Sequence, residues 1–148
     1  MLHFLLNGVD FSAFGLLADR LAVGTFFTLA GAHKIFFRDK RAVFLSGFEK
    51  WGLRSPAWAY LIPGGEFFGG LGLIVGALAV PAALGLLIIC SGACILDAFG
   101  RVQSKRWHER MSDYLYLPEV LYLVMLAFIL AQGAGVYSLD ALFLGGLK

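Results

Sequence analysis

The chain has 148 residues, of which 59% are hydrophobic and 15% are charged, and its mean hydropathy is +0.80. This composition is too apolar for a soluble domain of that size, in which about 25% of residues would be charged. The net charge of +2 gives no general attraction to nucleic acid, so we expect no nucleic-acid partner and a chain in contact with a lipid bilayer.

The first predicted span covers residues 12–37, and its uninterrupted core is LAVGTFFTLAGA. Charged residues flank this core, and Arg20 and Lys34 lie about 21 Å apart along a helix at about 1.5 Å per residue. Both side chains can therefore reach toward the two ends of one span. At about 100° per residue, the same helix face holds Arg20, Gly24, Phe27, Gly31 and Lys34. Because charges facing lipid are costly, we predict that this face points into the protein.

A basic connector at residues 38–56 follows, and it also contains apolar residues such as Val43, Phe44 and Leu45. That mixture is typical of a short amphipathic helix at the lipid headgroups. The second predicted span covers residues 60–79, with Pro63 at its start or at a kink. Pro81 begins the third span, residues 81–99, after almost no loop, so the second and third helices should form a tight hairpin.

Residues 100–113 form a second basic connector, and the fourth predicted span covers residues 115–132. Each span is long enough for a hydrocarbon core of about 30 Å. The sequence therefore predicts an all-α membrane protein, a single domain over residues 1–148, built as a four-transmembrane-helix bundle with a short amphipathic connector between helices 1 and 2. The aromatic residues near the connectors are expected to anchor it at the interface.

Basic residues are distributed unevenly between the two sides of these four spans. The two long connectors hold nine of the twelve Lys and Arg residues, whereas the turn between the second and third spans holds none. The positive-inside rule then predicts that both basic connectors are cytoplasmic and that both termini are outside. The stretch around His108 is expected to lie beside anionic lipid headgroups, with a docking surface for a soluble partner as the alternative.

Three ordered motifs resemble those of one protein family. They are R-L-x-x-G-x-x-F-x-x-A-G-x-x-K from Arg20 to Lys34, E-x-x-G-G-L-G-L-x-x-G from Glu66 to Gly76, and G-A-G-x-Y-S-L-D from Gly133 to Asp140. The combination resembles the DoxX family of small bacterial membrane proteins. The resemblance implies four helices in a bacterial inner membrane. Some relatives are membrane subunits of thiosulfate:quinone oxidoreductases or of redox-stress complexes, and distant eukaryotic relatives act in receptor assembly or cargo sorting.

Several ionisable residues are predicted to lie at one depth, on the side of the basic connectors. They are His33, Lys34, Glu66, Asp97 and Glu119. Because buried charges need partners, we predict an ion pair between Lys34 and Glu66, with Asp97 and Glu119 sharing His33, Arg101 or water. At the opposite end, Asp140 is expected to meet Arg20 as a structural intramembrane charge.

Two interpretations of this cluster stay open. In the first, it serves only as a polar clamp that fixes the helix register. Alternatively, it binds a quinone: Lys34 or His33 would donate a hydrogen bond to a quinone oxygen, and Glu66 or Glu119 would exchange a proton. The sequence has no flavin, haem or iron–sulfur fingerprint, so a quinone-linked role requires a separate electron-donating partner subunit. Whether the chain catalyses a reaction is open, and a non-enzymatic scaffold or assembly subunit is the alternative.

Other chemical readings of the sequence are weaker. Four predicted helices supply His33, Glu66, Asp97 and Glu119, as in carboxylate-bridged iron proteins, but the Glu-x-x-His pair of those proteins is absent, so we predict no metal. Cys90 and Cys94 are interpreted as small packing residues rather than a redox pair. The glycines are interpreted as helix-packing positions, because no strand or phosphate-binding loop precedes them.

Overall fold

The computed structural model of the chain describes residues 12–49, 52, 55, 57–95, 102 and 106–145. Within these ranges the chain forms seven helices and no strand, as the composition predicts. The helices are α1 (Ser12–Phe36), α2 (Arg38–Glu49), α3 (Trp58–Val75), α4 (Ala79–Ala93), α5 (Trp107–Leu115), α6 (Pro118–Gln132) and α7 (Leu139–Gly145).

Two of these helices, α1 and α3, are long and apolar enough to cross a membrane, with 24 residues in Ala13–Phe36 and 18 in Trp58–Val75. The pair α5 and α6 satisfies the same criterion together, but it is bent by 59° at the break between the two helices. Helix α4 is apolar and has 15 residues, fewer than the roughly 20 of a typical span. The described residues therefore hold two candidate spans, or three with the bent pair, and the prediction of four stays a prediction.

Helices α1, α3, α4 and α6 pack in a ring, each against the next, and α1 and α6 close it. The most extensive contact joins α1 to α3 and depends on glycine. A Cβ atom on Gly31 would lie 2.5 Å from the carbonyl oxygen of Pro63, and one on Gly24 would lie 2.8 Å from that of Gly70. Any side chain at these positions would separate the two backbones, so the predicted glycine packing is confirmed.

The interior of the ring is filled by aliphatic side chains that are almost completely buried: Val23, Leu73, Leu86, Leu126 and Ile129. The opposite faces of the same helices are equally apolar, with Leu61, Ile88 and Val124 each more than 60% exposed. Helices that are apolar all round belong in a protein core or in lipid. Since these faces have no protein cover among the described residues, lipid is their natural environment.

The two connectors differ from one another in how well the sequence anticipated them. The predicted amphipathic helix in the first connector is confirmed as α2. In the second, where the sequence analysis expects a polar connector at residues 100–113, the structure has helix α5. Pro118 stands at the start of α6, where its missing N–H costs nothing, so this helix begins three residues after the predicted start of the fourth span at residue 115.

The predicted tight hairpin between α3 and α4 is also confirmed. Helix α3 ends at Val75, four residues before the predicted end of the second span at residue 79. Gly76 follows in the left-handed conformation at φ 73°, which glycine adopts without steric cost and which ends the helix. Leu78 is also left-handed, at φ 51°, and α4 begins at Ala79, two residues before Pro81. The predicted end of the third span, at residue 99, lies outside the described residues.

Candidate functional site

An ion pair joins the end of α1 to α3. Lys34 Nζ lies 2.6 Å from each of the two carboxylate oxygens of Glu66, so the ammonium donates to both. The Glu66 side chain is 7% exposed and the Lys34 side chain is 25% exposed. Because a buried carboxylate is stable as an anion only when it is paired and hydrogen-bonded, the contact accounts for both charges inside the bundle. The predicted pair of Lys34 and Glu66 is confirmed.

Helix α2 covers this pair. The ring of Phe44 lies with its centroid 5.0 Å from Lys34 Nζ, within the range of a cation–π contact. Arg41 holds α2 in place: its Nη1 donates a hydrogen bond of 3.1 Å to the carbonyl oxygen of Ile35, and its guanidinium lies 5.1 Å from the centroid of the Tyr60 ring. The amphipathic character of α2 was predictable, but its contact with the ion pair was not.

The remaining predicted site residues are less closely associated with the pair. His33 is exposed, and its ring contacts Phe37 edge to face, with centroids 5.6 Å apart, so it lies on a different side of α1 from Lys34. Glu119 lies partly buried in the first turn of α6, and its backbone carbonyl accepts a hydrogen bond of 3.4 Å from the Cys90 thiol. Asp97 lies outside the described residues.

The two cysteines, Cys90 and Cys94, are both buried, and their thiols are not joined in a disulfide. Cys90 lies in α4 and Cys94 directly follows its last residue, and their burial is as expected for small packing residues. Within the described ranges, no three His, Cys, Asp or Glu side chains come close enough to hold a metal ion. Of the predicted site residues that the structure describes, it pairs Lys34 with Glu66, and the ring of Phe44 covers the ammonium.

At the opposite end of the bundle, Arg20 binds three backbone carbonyl groups from two other parts of the chain. The residue is 1% exposed. Its Nε donates to the carbonyl of Leu73 at 3.2 Å, its Nη2 donates to that of Tyr137 at 2.8 Å, and its Nη1 donates to that of Ala134. The guanidinium thus joins α1 to the last turn of α3 and to the segment after α6.

Asp140 lies in the same region but does not form the expected direct ion pair with Arg20. Its two carboxylate oxygens accept hydrogen bonds from the backbone N–H groups of Leu78 and Ala79, at 2.8 and 2.9 Å. These N–H groups start α4 and have no partner within the helix, so a carboxylate there is favoured by hydrogen bonding and by the helix dipole. The prediction of a direct contact between Arg20 and Asp140 is therefore corrected. Arg20 is held by backbone carbonyl groups and Asp140 by backbone N–H groups.

The loop between α6 and α7 completes this arrangement. Gly133 and Gly135 have φ of 76° and 75°, which glycine adopts without strain. The buried hydroxyl of Ser138 donates to the carbonyl of Gly135 at 2.6 Å and accepts from the N–H of Ala141 at 3.1 Å, which caps α7. Asp140 N–H donates to the carbonyl of Gly76 at 3.0 Å.

We call this group the Arg20 clamp: Arg20, the turn at residues 73–79 and the segment at residues 134–141. The first residue of the first motif, the last residue of the second and most of the third meet in it. From the sequence, Arg20 is expected to meet Asp140 at this end, but the contacts of Arg20 with backbone carbonyl groups were missed. A signal was present, because the second motif ends on a glycine and the third on an aspartate, residue types that terminate and cap helices.

A ring of helices that buries an arginine and an ion pair while exposing apolar side chains defines a multi-pass α-helical membrane protein. The family model of DoxX matches residues 15–97, more than half of the chain. The chain belongs to the DoxX family. No curated protein and no solved structure gave a significant match. The matched residues include the first two motifs, and therefore Arg20, Lys34 and Glu66.

Proposed function

We propose that this protein is the membrane subunit of a quinone-linked redox system, and that it binds a quinone or a similar lipophilic ligand beside Lys34 and Glu66. A single observation carries the proposal: a charged pair is held inside an apolar bundle with its ammonium partly accessible. An ionisable group at such a depth is costly, and in membrane proteins it commonly marks a ligand or proton site.

The chemistry of the pair suits a quinone. Lys34 has three N–H groups, of which two are directed to the oxygens of Glu66, and the third is available to donate to a ligand carbonyl oxygen. Reduction of a quinone to a quinol takes two electrons and two protons. Glu66 is placed to exchange protons through Lys34, while the electrons come from a separate protein partner.

The side chain that covers the ammonium bears on how such a ligand would be held. Phe44 of α2 lies over the ammonium, so a ligand ring would replace or stack beside this ring. In the proposed topology, four spans cross a bacterial inner membrane, both basic connectors are cytoplasmic and both termini are outside. The ligand site then lies near the cytoplasmic interface, where a soluble electron donor has access and where a quinone headgroup can reside.

A second candidate is a non-enzymatic scaffold or assembly subunit of a larger membrane complex. The observation that favours it is that both oxygens of Glu66 are already satisfied by Lys34. In this interpretation the pair serves only to fix α1 against α3. The two candidates differ in whether the folded protein binds a quinone beside Lys34 and Glu66.

The test measures binding of decylubiquinone to the purified protein in nanodiscs. We expect binding by the wild type and weakening by about tenfold or more in Lys34→Met and Glu66→Gln, because a hydrogen bond to a charged group contributes about 1.5–3 kcal/mol. Lys40→Met is the matched control, since Lys40 is exposed on α2. Circular dichroism and size-exclusion profiles establish that each variant is folded. Unchanged binding in both variants, or no binding by the folded wild type, would support the scaffold instead.

A further inference from the structure

A second feature lies at the Arg20 end, where α1 and α6 close the ring. A groove of about 630 Å³ opens between these two helices. Most of its lining is apolar, with Leu16, Val124, Met125 and Phe128, and two polar side chains face it, those of Asp19 and Gln132. Its volume falls within the range of small-molecule sites, about 300–1,000 Å³.

Two stacked aromatic rings separate the groove from the Lys34 end of the bundle. Farther along the α1–α6 seam, toward Lys34, the rings of Phe26 and Tyr122 stack with centroids 4.0 Å apart. Asp19 lies fifteen residues before Lys34, or about 22 Å along α1 at about 1.5 Å per residue. The groove is therefore separate from the ion pair and has its own lining.

Asp19 is the chemically unusual member of this lining. Among the described residues, its buried Oδ2 atom has no hydrogen-bond donor. Arg20 is the next residue, but its guanidinium donates to the carbonyl oxygens of Leu73, Ala134 and Tyr137 instead. The clamp thus occupies the adjacent cation, and the carboxylate lies beside an apolar groove without a counter-charge from the part of the chain that the structure describes.

We infer that the groove binds a lipophilic amine in its protonated form, with the ammonium donating to Asp19 and the apolar part lying against Val124 and Phe128. A carboxylate in an apolar membrane environment is stabilised by a cation that also donates hydrogen bonds. The ammonium supplies both, whereas a neutral alcohol supplies only the donor and a quaternary ammonium only the charge. Gln132, at the end of α6, can accept a further N–H from the same group.

The test is equilibrium dialysis of the full-length protein in phosphatidylcholine nanodiscs, with empty nanodiscs as the blank. The probes are 4-phenylbutylamine, its N-trimethyl derivative and 4-phenylbutanol, which share one apolar part. We expect the wild type to bind the amine about tenfold more tightly than either analogue, the order of effect of a charge-assisted hydrogen bond. Equal binding of the amine and its trimethyl derivative, or no binding of the amine, would overturn the inference.

Two matched pairs of variants locate the site. Asp19→Asn should weaken amine binding by about tenfold, whereas Asp39→Asn, which changes an exposed carboxylate on α2, should leave it unchanged. Val124→Trp fills the groove and should abolish binding, whereas Ile88→Trp, at a similarly exposed position on α4, should not. Amine binding that survives both Asp19→Asn and Val124→Trp would place the site elsewhere. The probe series on the wild type needs no variant, so the inference stays testable if a substitution prevents folding.

Discussion

Removal of the Arg20 side chain should be among the most destabilising single changes in this protein. In Arg20→Met the apolar stem is largely replaced, but the carbonyl groups of Leu73, Ala134 and Tyr137 lose their donors. A buried polar group left unsatisfied costs about 1–3 kcal/mol, and the bond to Leu73 is buried whereas those to Ala134 and Tyr137 are partly buried, so the lower end of the expected loss is about 3 kcal/mol. Against a total stability of about 5–15 kcal/mol, even the lower end is a large loss.

The assay is reversible unfolding in mixed micelles, followed by far-ultraviolet circular dichroism and converted to a free energy of unfolding. We expect Arg20→Met to lower the free energy of unfolding by at least about 3 kcal/mol. Arg20→Lys should lower it by less, because the ammonium keeps the charge, but some loss should remain because an ammonium cannot reproduce the planar fork of a guanidinium. Arg38→Met is the control, since Arg38 is exposed at the start of α2 and should change stability by less than about 0.5 kcal/mol. If Arg20→Met unfolds within that same margin of the wild type, the clamp does not stabilise the bundle.

Two further changes test the helix packing and the capping of α4. Gly31→Ala should lower the free energy of unfolding by about 1–3 kcal/mol, because its Cβ would overlap the backbone at Pro63. Gly85→Ala is the control: its surroundings are open, so the free energy of unfolding should stay the same or rise. Equal effects of the two changes on unfolding in micelles would contradict the packing model. Asp140→Ala should lower the free energy of unfolding by about 0.5–2 kcal/mol, because it removes the cap from the N–H groups of Leu78 and Ala79. If the same micelle assay shows no larger loss for Asp140→Ala than for Asp39→Ala, the carboxylate does not act as a cap.

The two ends of the bundle use charge in different ways. At the Arg20 end, a fully buried cation is matched to backbone carbonyls, which cannot change protonation, so this end is suited to holding the fold. At the other end, a cation and a carboxylate face each other, and the cation keeps partial access to the outside. The second arrangement places an accessible ammonium directly against a carboxylate, which is why the proposed redox site lies there.

The sequence was sufficient to predict features that depend on local spacing. The period of the α-helix places Arg20, Gly31 and Lys34 on one face, and the cost of a charge in lipid directs that face inward. The same cost predicts that Lys34 pairs with a carboxylate at its own depth, and Glu66 was the expected partner. The amphipathic helix α2 and the hairpin before α4 likewise follow from residue order.

Only the tertiary structure decided which groups meet when several partners are possible. Asp140 caps α4 and does not pair directly with Arg20, because two free N–H groups at the helix start lie within reach of its carboxylate. The isolation of Asp19 follows in turn, since Arg20 is already bound to carbonyls that lie more than fifty residues away in sequence. Sequence spacing specifies the face of a helix on which a side chain lies. The choice among partners depends on distances between segments, which exist only after the helices have packed.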